Sequence, residues 1–297
     1  FCYGIIDNDN KKRRKFYEVQ SFFSEMKQNE EVVNSKVNSK VALDYDYESM
    51  ASFRIQRQSF LMDYKNEVYR LYRPFYEKNI NIDVIPSDSE FDEYEILLVP
   101  VMIVHKKEVQ DKIRNFAKKG KTVVLSFRNS IKDYYNNLIL NKLNPVNFTD
   151  FIGGYVEEIE SFGEGQSINL LGIDEFKEVN GSATVFRDLL KTTTAKTLFK
   201  YDEEFFDDLS AITLNEYESG KVYYIGCGVD NNIMDKIAEK IIDESNIEFI
   251  SSPKGVEVVK RMYDNKTKYF VINHTDKIQK LNDLVLKPYD ALIADNI

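Results

Sequence analysis

The chain has 297 residues, with Lys+Arg 40 against Asp+Glu 49, a net charge of −9 and 43% hydrophobic residues. That length allows one large domain or two smaller ones, and the composition excludes disordered and collagen-like chains. Two cysteines, Cys2 and Cys227, and two histidines, His105 and His274, exclude a disulfide framework and a histidine-rich metal site.

No apolar run is long enough to cross a membrane as a helix. The acidic balance argues against nucleic acid as a partner. The chain opens on Phe1-Cys2-Tyr3-Gly4 rather than on Met, without the basic-then-apolar order of a signal peptide. The run Lys11 to Lys15 reads as a solvated turn leading into a helix. Phe16, Val19, Phe22, Phe23 and Met26 recur every three or four residues and predict a helix over 14–28. Residues 29–40 are polar and read as a linker.

Val41-Ala42-Leu43 predicts a short strand that ends in the acidic Asp44-Tyr45-Asp46-Tyr47-Glu48. Leu61, Tyr64, Val68, Leu71, Tyr72 and Phe75 predict a helix over 61–78. Strands follow at 80–85, closed by Pro86, and at 96–101, a continuous apolar run typical of a strand covered on both faces. His105 to Lys119 is helical and ends at Gly120, as a C′ glycine allows. Residues 121–127 are a fourth strand. This β-α-β-β-α-β order predicts a mostly parallel sheet with helices on both faces.

Residues 147–200 break into short segments with turn signals at Gly153-Gly154, Gly163-Glu164-Gly165 and Asn180-Gly181. They read as an insertion or subdomain beside the sheet, with short strands at 156–159 and 197–201. Residues 211–214 and 221–226 bracket Glu218-Ser219-Gly220 as a hairpin. Residues 231–243 form a last helix, with Asp230 as its cap. Past Ser252-Pro253, residues 256–261 and 268–273, joined by Asp264-Asn265, predict a small antiparallel β domain with further strands near 285 and 291–293.

The candidate site residues are few. Asp44, Asp46 and Glu48 stand where open α/β sheets bind ligands. No glycine-rich phosphate loop follows them, and negative side chains repel phosphate. As alternate residues of a strand they would share a face and offer oxygen ligands to a hard cation, or form a polar strand-end cluster. Cys227, between two glycines, resembles an exposed elbow but lacks an obvious base. Arg70, Arg73 and Phe75 bring arginine and aromatic character to one helix, a chemistry favoured at interfaces. Phe205-Phe206 is an apolar spot with acidic flanks.

Several segments, in this order, carry a resemblance. They are Val41 to Ser49 with Gln56-Arg57-Gln58-Ser59, Ile80 to Pro86, Tyr94 to Pro100, Phe116 to Val124, Val222 to Gly228, and Gly255 to Val258 with Phe270 to Thr275. Their order and spacing resemble the region after the barrel in family 42 β-galactosidases. The opening Gly4 to Asp9, with Arg14 and Tyr17-Glu18-Val19, is similar to that family's final barrel strand-to-helix passage. The resemblance implies a flavodoxin-like, class I glutamine amidotransferase-like α/β fold followed by a small antiparallel β domain. It implies that 1–33 is the end of a (β/α)₈ barrel with a linker, 34–250 the trimerisation domain, and 251–297 the small C-terminal β domain. Both glutamates of the family's retaining double displacement are then expected upstream of Phe1, so no acid of this chain inherits either role. Retaining chemistry needs two carboxyl groups about 5–5.5 Å apart, so the chain alone is expected to be inactive. The resemblance further implies no cofactor or metal, a homotrimer in the parent protein, galactoside bound by the barrel, no nucleic-acid or membrane partner, and a cytoplasmic location. The rival class is an independent amidotransferase-like module or hydrolase with a pocket at Asp44 to Glu48 or a base beside Cys227.

Overall fold

The computed structural model describes residues 4–263 and 266–297. Phe1, Cys2, Tyr3 and the turn expected at Asp264-Asn265 lie outside the described residues. The chain divides into two compact units. Residues 39–251 form one, and the segment up to Asn38 joins 252–297 in the other.

The N-terminal segment carries α1 (Arg14–Gln28) and α2 (Glu30–Val33). The predicted periodicity does form a helix, yet no residue of α1 is buried. Phe22 and Phe23 stay more than half exposed. The basic run before it is paired, Arg13 with Asp7 and Asp9 and Arg14 with Glu18.

In the larger unit, β1 (Val41–Asp44), β2 (Ile82–Ile85), β3 (Ile96–Val99) and β4 (Thr122–Ser126) alternate with α3 (Tyr47–Ile55), α4 (Tyr64–Tyr76) and α5 (Lys107–Lys118). Next come α6 (Thr149–Ile152), β5 (Gly154–Ser161), β6 (Ile168–Gly172), β7 (Asn180–Thr192) and β8 (Lys196–Tyr201). The hairpin β9 (Ser210–Tyr217) and β10 (Gly220–Ile225), the short β11 (Cys227–Val229) and α7 (Asn231–Glu244) complete the unit. These strands form one mixed sheet in the order β2-β1-β3-β4-β10-β9-β8-β6-β7-β11, with β5 on the free length of β7. From β2 to β10 every neighbour is parallel. That half has the doubly wound, flavodoxin-like order. From β10 onward the pairings are antiparallel.

The two faces of the parallel half follow from the period-two alternation of its strands. Val41, Leu43, Ile96, Leu98, Val124 and Tyr223 pack on one face with Leu71 and Phe75 of α4 and Ile233 and Ile237 of α7. Ala42, Leu97, Val99, Val123, Leu125 and Val222 pack on the other with Val109, Ile113 and Phe116 of α5. Helices therefore cover both faces, as the strand-helix order predicts. Asp63 starts α4, its carboxylate accepting from the backbone N–H of Lys65 and Asn66.

Residues 147–200 differ from the sequence expectation. They do not stand beside the sheet; β5 to β8 extend it. The long strand β7 was hidden because residues 185–190 are buried without alternation. Asn180-Gly181, expected as a turn, opens that strand. A Cβ at Gly181 would lie 2.6 Å from Asp230 Oδ2 and from Ile233. The glycine thus serves a close approach of α7 and not a reversal of the chain.

The smaller unit continues with β12 (Val256–Tyr263), β13 (Lys266–Asn273), β14 (Gln279–Leu281), β15 (Leu284–Leu286) and β16 (Ala291–Ala294). The order β12-β13-β16 is antiparallel, and β14 and β15 form a separate hairpin. Val256, Val258, Val271, Leu281 and Leu286 supply its buried apolar groups. The buried Asn273 amide donates to Lys277 O and Lys287 O at 2.7 Å each and ties its turns together. Arg261 donates to Val33 O and Ser35 O, which fixes the N-terminal segment into this unit.

Candidate functional site

In a doubly wound sheet the crevice lies at the carboxyl ends of the strands where their order reverses. Here that is the junction of β1 and β3, and three acids gather beside it. Asp44 ends β1. Asp46 caps α3, accepting from Glu48 N–H, and its other oxygen accepts from Ser49 Oγ at 2.6 Å. The extended segment stops there, so Asp44, Asp46 and Glu48 do not share a strand face, contrary to the sequence expectation.

A lysine fills the position that a cation would take. Lys106 Nζ donates to Asp46 Oδ1 and to Glu48 Oε2, both at 2.6 Å. Sequence reasoning missed Lys106. It sits at the start of α5, about sixty residues from its partners, and only the return of the chain through β3 brings it there. The hydrogen bond from Lys106 holds the Glu48 carboxyl down at about 2. Burial pushes the Asp44 carboxyl up to about 7, against the hydrogen bond that Ser87 Oγ donates to it at 2.6 Å. The other Asp44 oxygen has no partner. Asp44 lines a small apolar pocket with Ile85, Phe91, Val99 and Val109 that has no space for a water molecule. Among the described residues, no group of three His, Cys, Asp or Glu side chains is placed to hold a metal ion.

The helix residues singled out from the sequence point inward. Phase and composition suggested a contact surface, but Phe75 is fully buried in the core. Arg73 pairs with Glu77 at 2.6 Å and with Asp235 of α7 at 2.5 Å. Arg70 pairs with Glu67 and donates to Val229 O of β11. Both arginines therefore fasten α4 to its neighbours.

Nucleophile chemistry finds no footing at Cys227. The thiol is buried, and burial pushes it up to about 12, so it stays protonated and unreactive. His274 engages Glu257 at 2.8 Å. His105 does meet a serine, Nδ1 lying 3.0 Å from Ser130 Oγ. Ser130 is fully buried, its hydroxyl donates to Val146 O, and Gln110 Nε2 donates to it at 2.7 Å. On the far side of the ring, Nε2 faces the amide of Asn147 at 3.5 Å, not a carboxylate. This network holds the loop after β4 and exposes no nucleophile.

A second buried polar cluster went unseen in the sequence. Asp188 of β7 accepts from Arg128 N–H at 2.8 Å and from Tyr224 OH at 2.7 Å. Burial raises the carboxyl of Asp188 and lowers the guanidinium of Arg128. The cluster joins the antiparallel half of the sheet to the ends of β4 and β10.

The acids at this strand end are thus engaged by the chain's own side chains, Asp46 and Glu48 by Lys106 and Asp44 by Ser87. The family model for the β-galactosidase trimerisation domain matches residues 39–248. The chain belongs to that family. The matched span coincides with the larger structural unit. The β-galactosidase BgaA of Clostridium cellulovorans is 28% identical over 281 residues, covering 94% of this chain and 42% of that protein. BgaP of a Planococcus species is 25% identical over 286 residues, with coverage of 95% and 42%. The chain therefore spans less than half the length of these relatives. Among solved structures, the β-galactosidase of Bacillus circulans sp. alkalophilus superposes with a TM-score of 0.89 at 20% identity, covering 98% of this chain and 46% of that one. That of the psychrophilic Marinomonas ef1 gives 0.80 at 21% identity, covering 98% and 44%. At such identity these two comparisons establish the fold of the trimerisation domain and its companion β unit.

Proposed function

We propose that this chain is the non-catalytic assembly part of a β-galactosidase, and that it holds three copies together and shapes the surroundings of their active sites. The family match over 39–248 carries this reading. The site supports it: two of the three acids at the strand end where an α/β enzyme would bind a ligand are neutralised by Lys106. In this reading the parent protein cleaves terminal non-reducing β-D-galactosides by a retaining two-glutamate mechanism. The two glutamates belong to a barrel outside this chain, residues 1–33 are the end of that barrel with its linker, and the parent works in the cytoplasm. Among the described residues no helix is long and apolar enough to cross a membrane.

The test has two arms. Light scattering of the purified chain over a range of concentrations should give a mass three times that of the monomer. A chromogenic β-galactoside should remain uncleaved by the same preparation. A strictly monomeric mass removes the assembly role, and hydrolysis by the pure chain removes the non-catalytic one.

A further inference from the structure

A closed ring of three copies uses two different surfaces on each copy, one fitting the other head to tail. The larger unit offers two such surfaces of opposite charge. The first is a groove of about 610 Å³ beside α3 and the start of α4. Met50, Phe53 and Met62 form its apolar floor, with Tyr45 and Tyr64 beside them. Arg54, Arg57 and Lys65 stand on its rim, all exposed, with one acid, Asp63, whose carboxylate accepts from the first N–H groups of α4. Among the described residues none of these three cations is held in an ion pair.

The second surface is the turn between β8 and β9. Phe206 is buried beneath the Arg187 guanidinium, 4.8 Å from its ring, and anchors the turn. Its neighbour Phe205 points the other way and is 81% exposed. Five acids flank this ring. Glu203 is committed to Arg187 and Asp208 to Lys191. Among the described residues Asp202, Glu204 and Asp207 have no ion pair. An exposed aromatic ring with three free carboxylates thus matches an apolar groove with three free cations. Aromatic anchors in pockets with complementary rims are the usual seat of binding energy.

The two surfaces are also linked within one copy. Ser59 Oγ, in the loop between α3 and α4, donates to Phe162 O, and the Arg187 that pairs with Glu203 lies over the Phe162 ring at 5.7 Å. The groove and the turn therefore lie on connected parts of the unit.

We infer that the Phe205 turn of one copy inserts into the groove rimmed by Arg54, Arg57 and Lys65 of the next copy, and that this contact closes the ring. The inference rests on the assembly reading above and names its contact.

The experiment follows the mass of the full 297-residue chain by light scattering across a dilution series, with circular dichroism to confirm folding. Phe205→Ala should raise the concentration of half-assembly by about tenfold or more. Arg54→Glu with Arg57→Glu should do the same. Adding Glu204→Lys and Asp207→Lys to that reversed chain should restore assembly, because the charges again oppose. If the unmutated chain assembles and both weakened variants assemble equally well, the contact is wrong while the assembly reading stands. Failure of the double reversal to restore assembly likewise overturns the contact. An unmutated chain that stays monomeric overturns the assembly reading and this contact with it.

Discussion

Asp44 shows how one buried carboxyl couples this fold to pH. Its carboxyl titrates at about 7 in the fold, against an ordinary 3.8. The folded state thus holds a proton that the unfolded chain has released between those values. Its contribution is present in full below about pH 3.8 and is lost as pH rises through 7. Urea unfolding at pH 5 and pH 8 should show the native chain losing on the order of 2–4 kcal/mol across that interval from this group. Asp44→Asn cannot ionise and should flatten the difference; an equally steep loss in the variant would refute the assignment. Phe75 belongs to the same scale. Its sequence context suggested an interface, but its ring is fully buried. Phe75→Ala should therefore cost about 3–5 kcal/mol of stability, the price of a core cavity, as read from the urea midpoint. A loss below 1 kcal/mol would point to a surface role.

Among the elements, α7 and β7 depend on one side chain. Asp230 Oδ1 accepts from Ile233 N–H at 3.1 Å and caps α7, as its position before the helix predicts. Its Oδ2 accepts from Ser182 N–H of β7 at 2.6 Å. One carboxylate thus caps a helix and docks it on a strand. Asp230→Ala should cost about 1–2 kcal/mol, at the upper end for a cap because a strand donor is stranded as well. Asp230→Asn should recover only part of the loss in the same unfolding assay, since its one carbonyl oxygen can accept at the cap or from Ser182 N–H but not at both. Equal losses in the two variants would mean that the single oxygen of Asn does not occupy the cap and that both acceptors are needed together. The same contact explains Gly181, whose missing side chain admits Asp230 and Ile233.

At the scale of the whole molecule, two units share one chain, and the larger carries the family match. Its own two-faced core predicts independence. A chain cut to residues 39–251 should express as a folded protein that melts cooperatively, measured by circular dichroism. A molten product would show that the division into units does not follow folding. The smaller unit gathers both ends of the sequence, because Arg261 of β12 reaches the carbonyls of Val33 and Ser35. No periodicity in the linker at 29–40 announces that return.

The sequence by itself determined the strands of the parallel half, the helices α4, α5 and α7, and the caps at Gly120 and Asp230, but not α3, whose first turn it read as the end of a strand. Local spacing carries that information, because a helix or strand repeats its buried positions every few residues. The order of its segments also pointed to the β-galactosidase relatives. Only the tertiary structure decided that residues 147–200 extend the sheet, since β7 is buried on both faces and shows no alternation. It alone placed Lys106 between Asp46 and Glu48, turned Arg70, Arg73 and Phe75 inward, and left Phe205 exposed with unpaired acids around it. Those outcomes depend on which distant segments meet, and a contact between residues sixty or more positions apart leaves no period in the chain.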